Sequence, residues 1–440
     1  MGEKFHFICR TCGNKIDSFQ EWFEHGQKCP KCGDNKVYTV YNTDKQRLKD
    51  LIYTDKTPDS MWHYFDFLPL NNKENIISDG EGVTKIERWH FMEDFAKRKY
   101  GLNVEVYVNR NDNSPATGTF KDKGASLAAS VLKEHGIKEY VVASTGNTAN
   151  AFAQYLAKAG ISAVIFMPQD ALRENFIHIG MLGQKVYIVK GDYSKAKQVA
   201  AEYAKKYGIL ISIGNMDPLR LEAKKTTAFE IMRQLRKMPD VYIQAVSGGT
   251  APLAIEKAFH DFGDTGLLGK IPRMIFVQGN YCAPQVEAWK KAKANNFPEG
   301  WEYDYPIYEN PKTLVPTIAT GNPKLYPFLA RLVKRTGGEY FAIKEEMAVE
   351  MARLVAYEKA IKVGPASAIG LLGFFAALKE GAIKDGESIF INMGEGVRRA
   401  LSFVEEVSYT TEEITNVEFC KRFDRSQYKD FVWKIFEEEC

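Results

Sequence analysis

No uninterrupted apolar run approaches the roughly 18 residues that a membrane-crossing helix needs, so no transmembrane segment is expected. Neither sign of charge dominates. Lys plus Arg is 59 against 56 for Asp plus Glu, a net charge of +3 over 440 residues. So small a surplus gives no electrostatic ground for binding nucleic acid or a membrane surface. The opening MGEKFHFICR lacks the apolar stretch of a secretory leader, and a cytoplasmic protein is expected. Cysteine is scarce, at 7 residues, which speaks for metal ligands or free thiols rather than disulfides in that compartment. Internal repeats and low-complexity segments are missing. What remains, with 45% hydrophobic and 26% charged residues, is a globular chain long enough for two or three domains.

Residues 5–45 read as a unit of their own. Cys9-x-x-Cys12 and Cys29-x-x-Cys32 form two knuckles, each followed by Gly, at Gly13 and Gly33. Each knuckle offers two thiolates to one tetrahedral ion, and this is the spacing of a zinc ribbon with a closed, structural Zn2+ site. His25 lies between the knuckles and reads as an ordinary surface residue, since four Cys already complete the set. Residues 46–105 read as irregular, with an aromatic packing stretch, SMWHYFDFLPL, at 60–70.

From there a strand–helix cadence sets in. VEVYV (104–108), EYVVAS (139–144), SAVIFMP, KVYIVKG, VYIQAV (241–246), RMIFVQG (273–279) and ESIFINMG (387–394) read as strands. KGASLAASVLKEHG (123–136), ANAFAQYLAKAG (149–160) and YSKAKQVAAEYAKKYG read as the helices between the earlier strands. Apolar strands alternating with amphipathic helices predict an α/β fold, parallel sheet with helices on both faces. The end of the chain, from VEFCKR onward, reads as an amphipathic helix packed on the body.

In such sheets ligands sit outside the carboxyl ends of the strands. Three loops there carry chemistry. In Asn113–Gly124 a Gly-flanked Lys121 stands at the mouth of a helix, where a helix N-terminus and desolvation both lower an amine's pKa and favour imine formation. Ser144-Thr145-Gly146-Asn147-Thr148 offers hydroxyls, an amide and free N–H groups, suited to a carboxylate or a ring oxygen, or equally to a plain N-cap turn. Ser247-Gly248-Gly249-Thr250-Ala251-Pro252 lets a phosphate approach backbone N–H groups at a helix start.

In this order and spacing the loops resemble threonine synthase of the plant and archaeal type, in the fold II group of pyridoxal-phosphate enzymes. SPATGTFKDKG (114–124) is similar to the family's N-P-T-G-S-F-K-D-R-G, and A-S-T-G-N-T stands intact at 143–148. MDPLRLEAKKT (216–226) is similar to N-P-Y-R-L-E-G-Q-K-T, and GPASA (364–368) to E-P-A-S-A. Many members also carry an N-terminal Cys-x-x-Cys ribbon and a W-R-Y-R-E-L-L-P segment, much like MWHYFDFLPL here.

The resemblance covers about residues 1–400 and implies a two-domain fold type II body, similar to the tryptophan synthase β chain, behind the ribbon of residues 1–45. The larger, cofactor-binding domain is expected over 46–125 and 225–440, the smaller over 126–224. It implies that Lys121 holds pyridoxal 5'-phosphate as a Schiff base, with Phe120 near the ring and Asn147 on its phenolic oxygen. Ser247, Gly248, Gly249, Thr250 and Ala251 would cradle the cofactor phosphate. Ser144, Thr145 and Thr148 would hold the substrate, and Asn215 and Arg220 its phosphate. One departure stands out: where the family has L-T-G-H-G, whose Thr meets the pyridine nitrogen, this chain has Asn392-Met393-Gly394-Glu395-Gly396. Met393 cannot make that bond, which leaves Asn392, Glu395 or no close partner. The implied reaction is threonine formation from O-phosphohomoserine and water, by a homodimer acting on small molecules. Cysteate synthase-like replacement on O-phosphoserine with sulfite, hydroxyamino-acid deamination and a non-catalytic relative are the alternatives.

Overall fold

The computed structural model describes residues 3–439 apart from 264, 268, 399, 409, 410 and 412. Its N-terminal unit is a three-stranded antiparallel sheet, with β1 (Phe5–Cys9) between β2 (Lys15–Ile16) and β3 (Val37–Tyr41). Alternation along β1 turns Phe5, Phe7 and Cys9 inward, where the rings meet Phe19 and Trp22. Gly13 and Gly33 both adopt left-handed φ, +70° and +75°, and their N–H groups close the turns onto Cys9 and Cys29 carbonyls. Hydrogen bonds from three of its residues help anchor the unit to the body, beside the apolar core they share. Lys4 Nζ donates to the Phe65 and Leu70 carbonyls at 2.6 and 2.7 Å, Gln27 Oε1 accepts from Ile211 N at 3.3 Å, and Tyr41 Oη donates to Glu222 at 2.8 Å.

The body holds two further sheets. The larger runs in the order β11 (Glu339–Ile343), β10 (Arg273–Gly279), β9 (Val241–Ala245), β12 (Ser388–Met393), β5 (Glu105–Arg110), β4 (Ile86–Arg88). All its pairings are parallel except the antiparallel edge strand β4. Every residue of β12 is buried, as a central parallel strand covered on both faces requires. The helix Pro365–Lys379, apolar nearly all round, packs against this sheet. The smaller sheet is parallel, in the order β6 (Glu139–Ala143), β7 (Ser162–Pro168), β8 (Lys185–Val189). The helices Lys121–Glu134 and Asn147–Lys158 pack on each other within its core. Among the described residues no helix is long and apolar enough to cross a membrane.

Residues 46–105 are more regular than the sequence reading allowed. A helix spans Lys45–Ile52 and another His90–Tyr100, followed by β4's partner β5. Both have the helical apolar spacing, Leu48, Leu51 and Ile52 in one and Met92, Phe95 and Ala96 in the other. The aromatic stretch is a turn of 3-10 helix over Met61–Phe67; its Trp62 Nε1 donates to Ser126 Oγ at 2.9 Å and Tyr64 Oη to Glu230 at 2.6 Å. Strand β11 went unnoticed because it is short, begins at Glu339 and exposes Ala342. The C-terminal helix covers Arg425–Glu439 rather than the whole terminal stretch, with Cys440 outside the described residues.

Candidate active site

Each loaded loop follows the carboxyl end of a parallel strand: β5 leads to 111–120, β6 to 144–146, β9 to 247–249 and β12 to 394–396. Lys121 is the first residue of its helix. The loop before it is held by local bonds, Thr117 N to Asp122 at 2.9 Å and Lys121 N to Thr119 Oγ1 at 3.2 Å. Two backbone bonds tie it to the segment after β12, Gly396 N to Gly118 O at 2.9 Å and Phe120 N to Gly394 O at 3.3 Å. Lys121 Nζ lies 3.5 Å from the centroid of the Phe120 ring. Burial first, and then Arg220, bring its amine down to about 7, with Glu395 opposing both. About half of such an amine is neutral, and so nucleophilic, at neutral pH.

Glu395 is buried beside this amine without a cation in contact among the described residues. It accepts from Ala366 N at 2.9 Å, from Thr317 Oγ1 at 3.3 Å and from Asn147 Nδ2. Burial raises its carboxyl pKa. Asn392 lies deeper, and both of its polar atoms are engaged within the protein. Its Oδ1 accepts from Asn109 and Asn111 at 3.3 and 2.8 Å, and its Nδ2 donates to Gln244 at 3.1 Å. Asn392 was one of three possibilities for the ring nitrogen, and turning it outward would give up these three internal amide bonds. Met393 is wholly buried, and its carbonyl accepts from Asn111 at 2.9 Å.

In the 144–148 turn, Ser144 acts as a local cap. Its Oγ accepts from Gly146 N and Ala149 N, each at 3.2 Å. Thr145 lines a cleft of about 670 Å³, whose other walls include Gly191–Ser194, Thr320 and Glu345, but not Lys121. Thr148 Oγ1 meets Arg220 Nη2 at 3.5 Å. Two buried amides that the sequence reading missed support the turn: Asn150 Nδ2 donates to Gly146 O at 3.2 Å and to Asn175 Oδ1 at 2.7 Å.

The 247–251 loop opens the 13-residue helix Thr250–Phe262, which begins without a side-chain cap. Gly249 has φ +80°, and a Cβ there would come within 2.2 Å of Leu329; one on Gly248 would come within 1.7 Å of Asn215 Nδ2. Only glycine fits either place, and the bare backbone leaves N–H groups open to an anion. Asn215 therefore lies against this loop, its Oδ1 accepting from Thr250 Oγ1 at 2.7 Å. The expected grouping of Asn215 with Arg220 is not what the structure joins by hydrogen bonds. A neutral-range amine, an amide turn and a glycine-built helix start together fit a carbonyl compound that carries a phosphate.

Arg220 is buried, and among the described residues it forms no ion pair. Lys224, also buried, donates to its carbonyl at 3.1 Å. Burial, then Arg220 and Lys121, push the Lys224 amine far below its ordinary value. Asp217 is the acid nearby, lifted to about 6 by burial while Arg220 pulls it back. The corner thus holds the Arg220 guanidinium and a neutral Lys224 amine beside a single acid, Asp217.

At the ribbon, the Sγ atoms of Cys9, Cys12, Cys29 and Cys32 all lie within 4.8 Å of one another, with Cys9–Cys32 and Cys12–Cys29 each at 3.6 Å. Bonds of ~2.3 Å to one tetrahedral zinc place sulfurs about 3.8 Å apart, so the set fits that ion. His25 is exposed, its Nδ1 2.9 Å from Glu21 O, outside the cluster.

A strand-end lysine with a phosphate-sized helix start defines the class of site, and the comparisons give the family. Residues 77–394 match the family described as pyridoxal-phosphate dependent enzyme, and the chain belongs to it. The threonine synthase of Methanocaldococcus jannaschii is 31% identical over 84% of this chain and 92% of its own length. That of Methanosarcina acetivorans is 28% identical over 88% and 90%. Among solved structures, Escherichia coli diaminopropionate ammonia lyase has a TM-score of 0.61 at 14% identity, covering 83% of this chain and 91% of its own. Entamoeba histolytica cysteine synthase has 0.59 at 19%, covering 82% and 94%. The fold is that of the type II pyridoxal-phosphate enzymes, and the chain is a pyridoxal-phosphate-dependent lyase.

Proposed function

We propose that the chain eliminates phosphate from O-phosphohomoserine and adds water, giving threonine and inorganic phosphate. The observation that carries this reading is Arg220, a buried guanidinium with no ion-pair partner among the described residues, beside Lys224 and the Thr148 hydroxyl. An unpaired buried cation is costly, and a substrate phosphate would balance it. The named threonine synthase relatives support the same choice.

Pyridoxal phosphate, when bound, supplies an electron sink for charge left on substrate carbon. Lys121 holds the cofactor and carries protons at the α and β carbons, which its near-neutral amine suits. The Ser247–Ala251 loop offers its N–H groups to the cofactor phosphate, and Asn147 its amide to the phenolic oxygen. Thr145, on the cleft wall, faces the incoming substrate, and Arg220 binds the leaving phosphate with a two-pronged donor. The four ribbon Cys hold one structural zinc, and residues 126–224 form the smaller domain, carrying β6, β7 and β8.

A second reading is replacement on O-phosphoserine by sulfite at the same Arg220 corner, weighed because the buried thioether of Met393 stands where the family resemblance implies a Thr hydroxyl. A panel of O-phosphohomoserine and O-phosphoserine, each with water, sulfite and sulfide, separates them by phosphate release. Threonine from the first with water is the expected result. Phosphate release from O-phosphoserine only, and only with sulfite, moves the assignment to the second reading. Ammonia from unphosphorylated serine or threonine, without use of either phosphate ester, overturns both.

A further inference from the structure

The segment 313–322 crosses the carboxyl ends of the larger sheet and joins parts of the site that the sequence keeps far apart. At one end it is pinned by Glu345, which follows β11 and is buried. That carboxylate accepts from Thr313 Oγ1 at 2.8 and 2.7 Å and from Leu314 N at 2.6 Å. In the middle Thr317 Oγ1 donates to Glu395. At the far end Tyr308 N donates to Gly321 O at 2.9 Å, and the Thr320 hydroxyl meets the hydroxyl of Ser247. Ser247 is itself held from behind, its carbonyl accepting from Gln285 Nε2 at 2.8 Å. Thr320 is buried.

Two touching hydroxyls carry two protons and use one between them. The second proton is then available to a third oxygen at this half-buried edge of the loop. Ser247 opens the glycine-rich loop whose N–H groups face the same place, where the helix Thr250–Phe262 starts uncapped. A phosphate oxygen there takes the spare proton as a charge-assisted bond.

We propose that Thr320 is a ligand of the cofactor phosphate, supplied from outside the glycine-rich loop by the 313–322 segment. This rests on the reading that the Ser247–Ala251 loop cradles that phosphate.

The test compares pyridoxal phosphate with pyridoxal, which lacks the phosphate, on the full-length chain stripped of cofactor with hydroxylamine and titrated by absorbance. In Thr320→Val, pyridoxal phosphate is expected to bind about tenfold to a hundredfold more weakly, with pyridoxal unchanged. Thr320→Ser, which restores the hydroxyl, is expected within about twofold of the wild type. Thr320→Ala serves the same comparison if the valine variant does not fold. Wild-type affinity for pyridoxal phosphate in a folded Val or Ala variant overturns the proposal. So does an equal loss for both compounds, which would make Thr320 a packing residue only. If the wild type itself binds the two compounds equally, the loop reading has failed; if it separates them and Thr320→Val separates them to the same extent, only Thr320 has.

Discussion

The side-chain amide of Asn147 donates to the carboxylate of Glu395, although 248 positions separate them in the chain. The contact closes the smaller sheet's turn over the segment that follows β12, and it sets a carboxylate beside the amine of Lys121. That amine sits at about 7, mainly through burial and then Arg220, with Glu395 holding it up. Covalent capture of pyridoxal phosphate needs the neutral amine, so its rate is expected to rise with pH through about 7. Removing the negative neighbour weakens the ammonium form, so Glu395→Gln should move that midpoint down. Stopped-flow absorbance across pH measures it; an unmoved or raised midpoint refutes the coupling. The linked stability has a definite sign. An unfolded lysine titrates near about 10.4, so between about 7 and 10 the unfolded chain binds more protons, and this group's share of stability grows as pH rises.

The ribbon is expected to hold about one zinc per chain, by its four-thiolate geometry. Cys9→Ser should lower the metal content measured by atomic emission and lower the melting temperature. Turnover per folded molecule should change little, because the four Cys belong to the three-stranded sheet and its turns rather than to the loops around Lys121. Unchanged metal and unchanged melting would end the ribbon assignment.

The parts of the site that are local in sequence were readable from it. Lys121, Gly248 and Gly249 announce themselves because a helix mouth or a crowded turn demands those residues within a few positions. Thr320, Glu345 and Asn175 gave no such signal. Each acts across the fold, and Thr320 and Glu345 flank stretches without strong periodicity. For Asn392 the strand was legible but its partners were not, because Asn109, Asn111 and Gln244 come from two other strands or their ends. The helices at Lys45–Ile52 and His90–Tyr100 were hidden by their shortness and by the aromatic turn between them.

A buried charge group should dominate single-site stability. Lys225 contacts Glu222 and Asp261, each at 2.6 Å, and Lys257 meets Asp261, with Tyr41 Oη completing Glu222. The Lys225 side chain is 0% exposed and that of Glu222 1%. Lys225→Met leaves two acids facing one lysine and should cost roughly 3–5 kcal/mol in urea unfolding. Adding Glu222→Leu should recover part of the loss. A single variant as stable as the wild type would show that the group is not charged as drawn.

Arg220→Lys tests the substrate's phosphate. Arg220 is the third residue of its helix, in the first turn after the N-cap Asp217, and Thr148 meets its guanidinium from the smaller sheet's side. A planar fork spans two phosphate oxygens, which a single ammonium does not. Loss of that bidentate contact should cost roughly 2–5 kcal/mol across binding and the transition state. KM for O-phosphohomoserine should rise and kcat fall, while the cofactor's absorbance stays that of the wild type. The same variant should treat unphosphorylated amino acids as the wild type does, since nothing in them uses the fork. If the wild type prefers serine or threonine to their phosphate esters, and Arg220→Lys matches it on both, then Arg220 binds no substrate phosphate. The buried charge of Arg220 would then be balanced by something other than the leaving group, and deamination would replace both synthase readings.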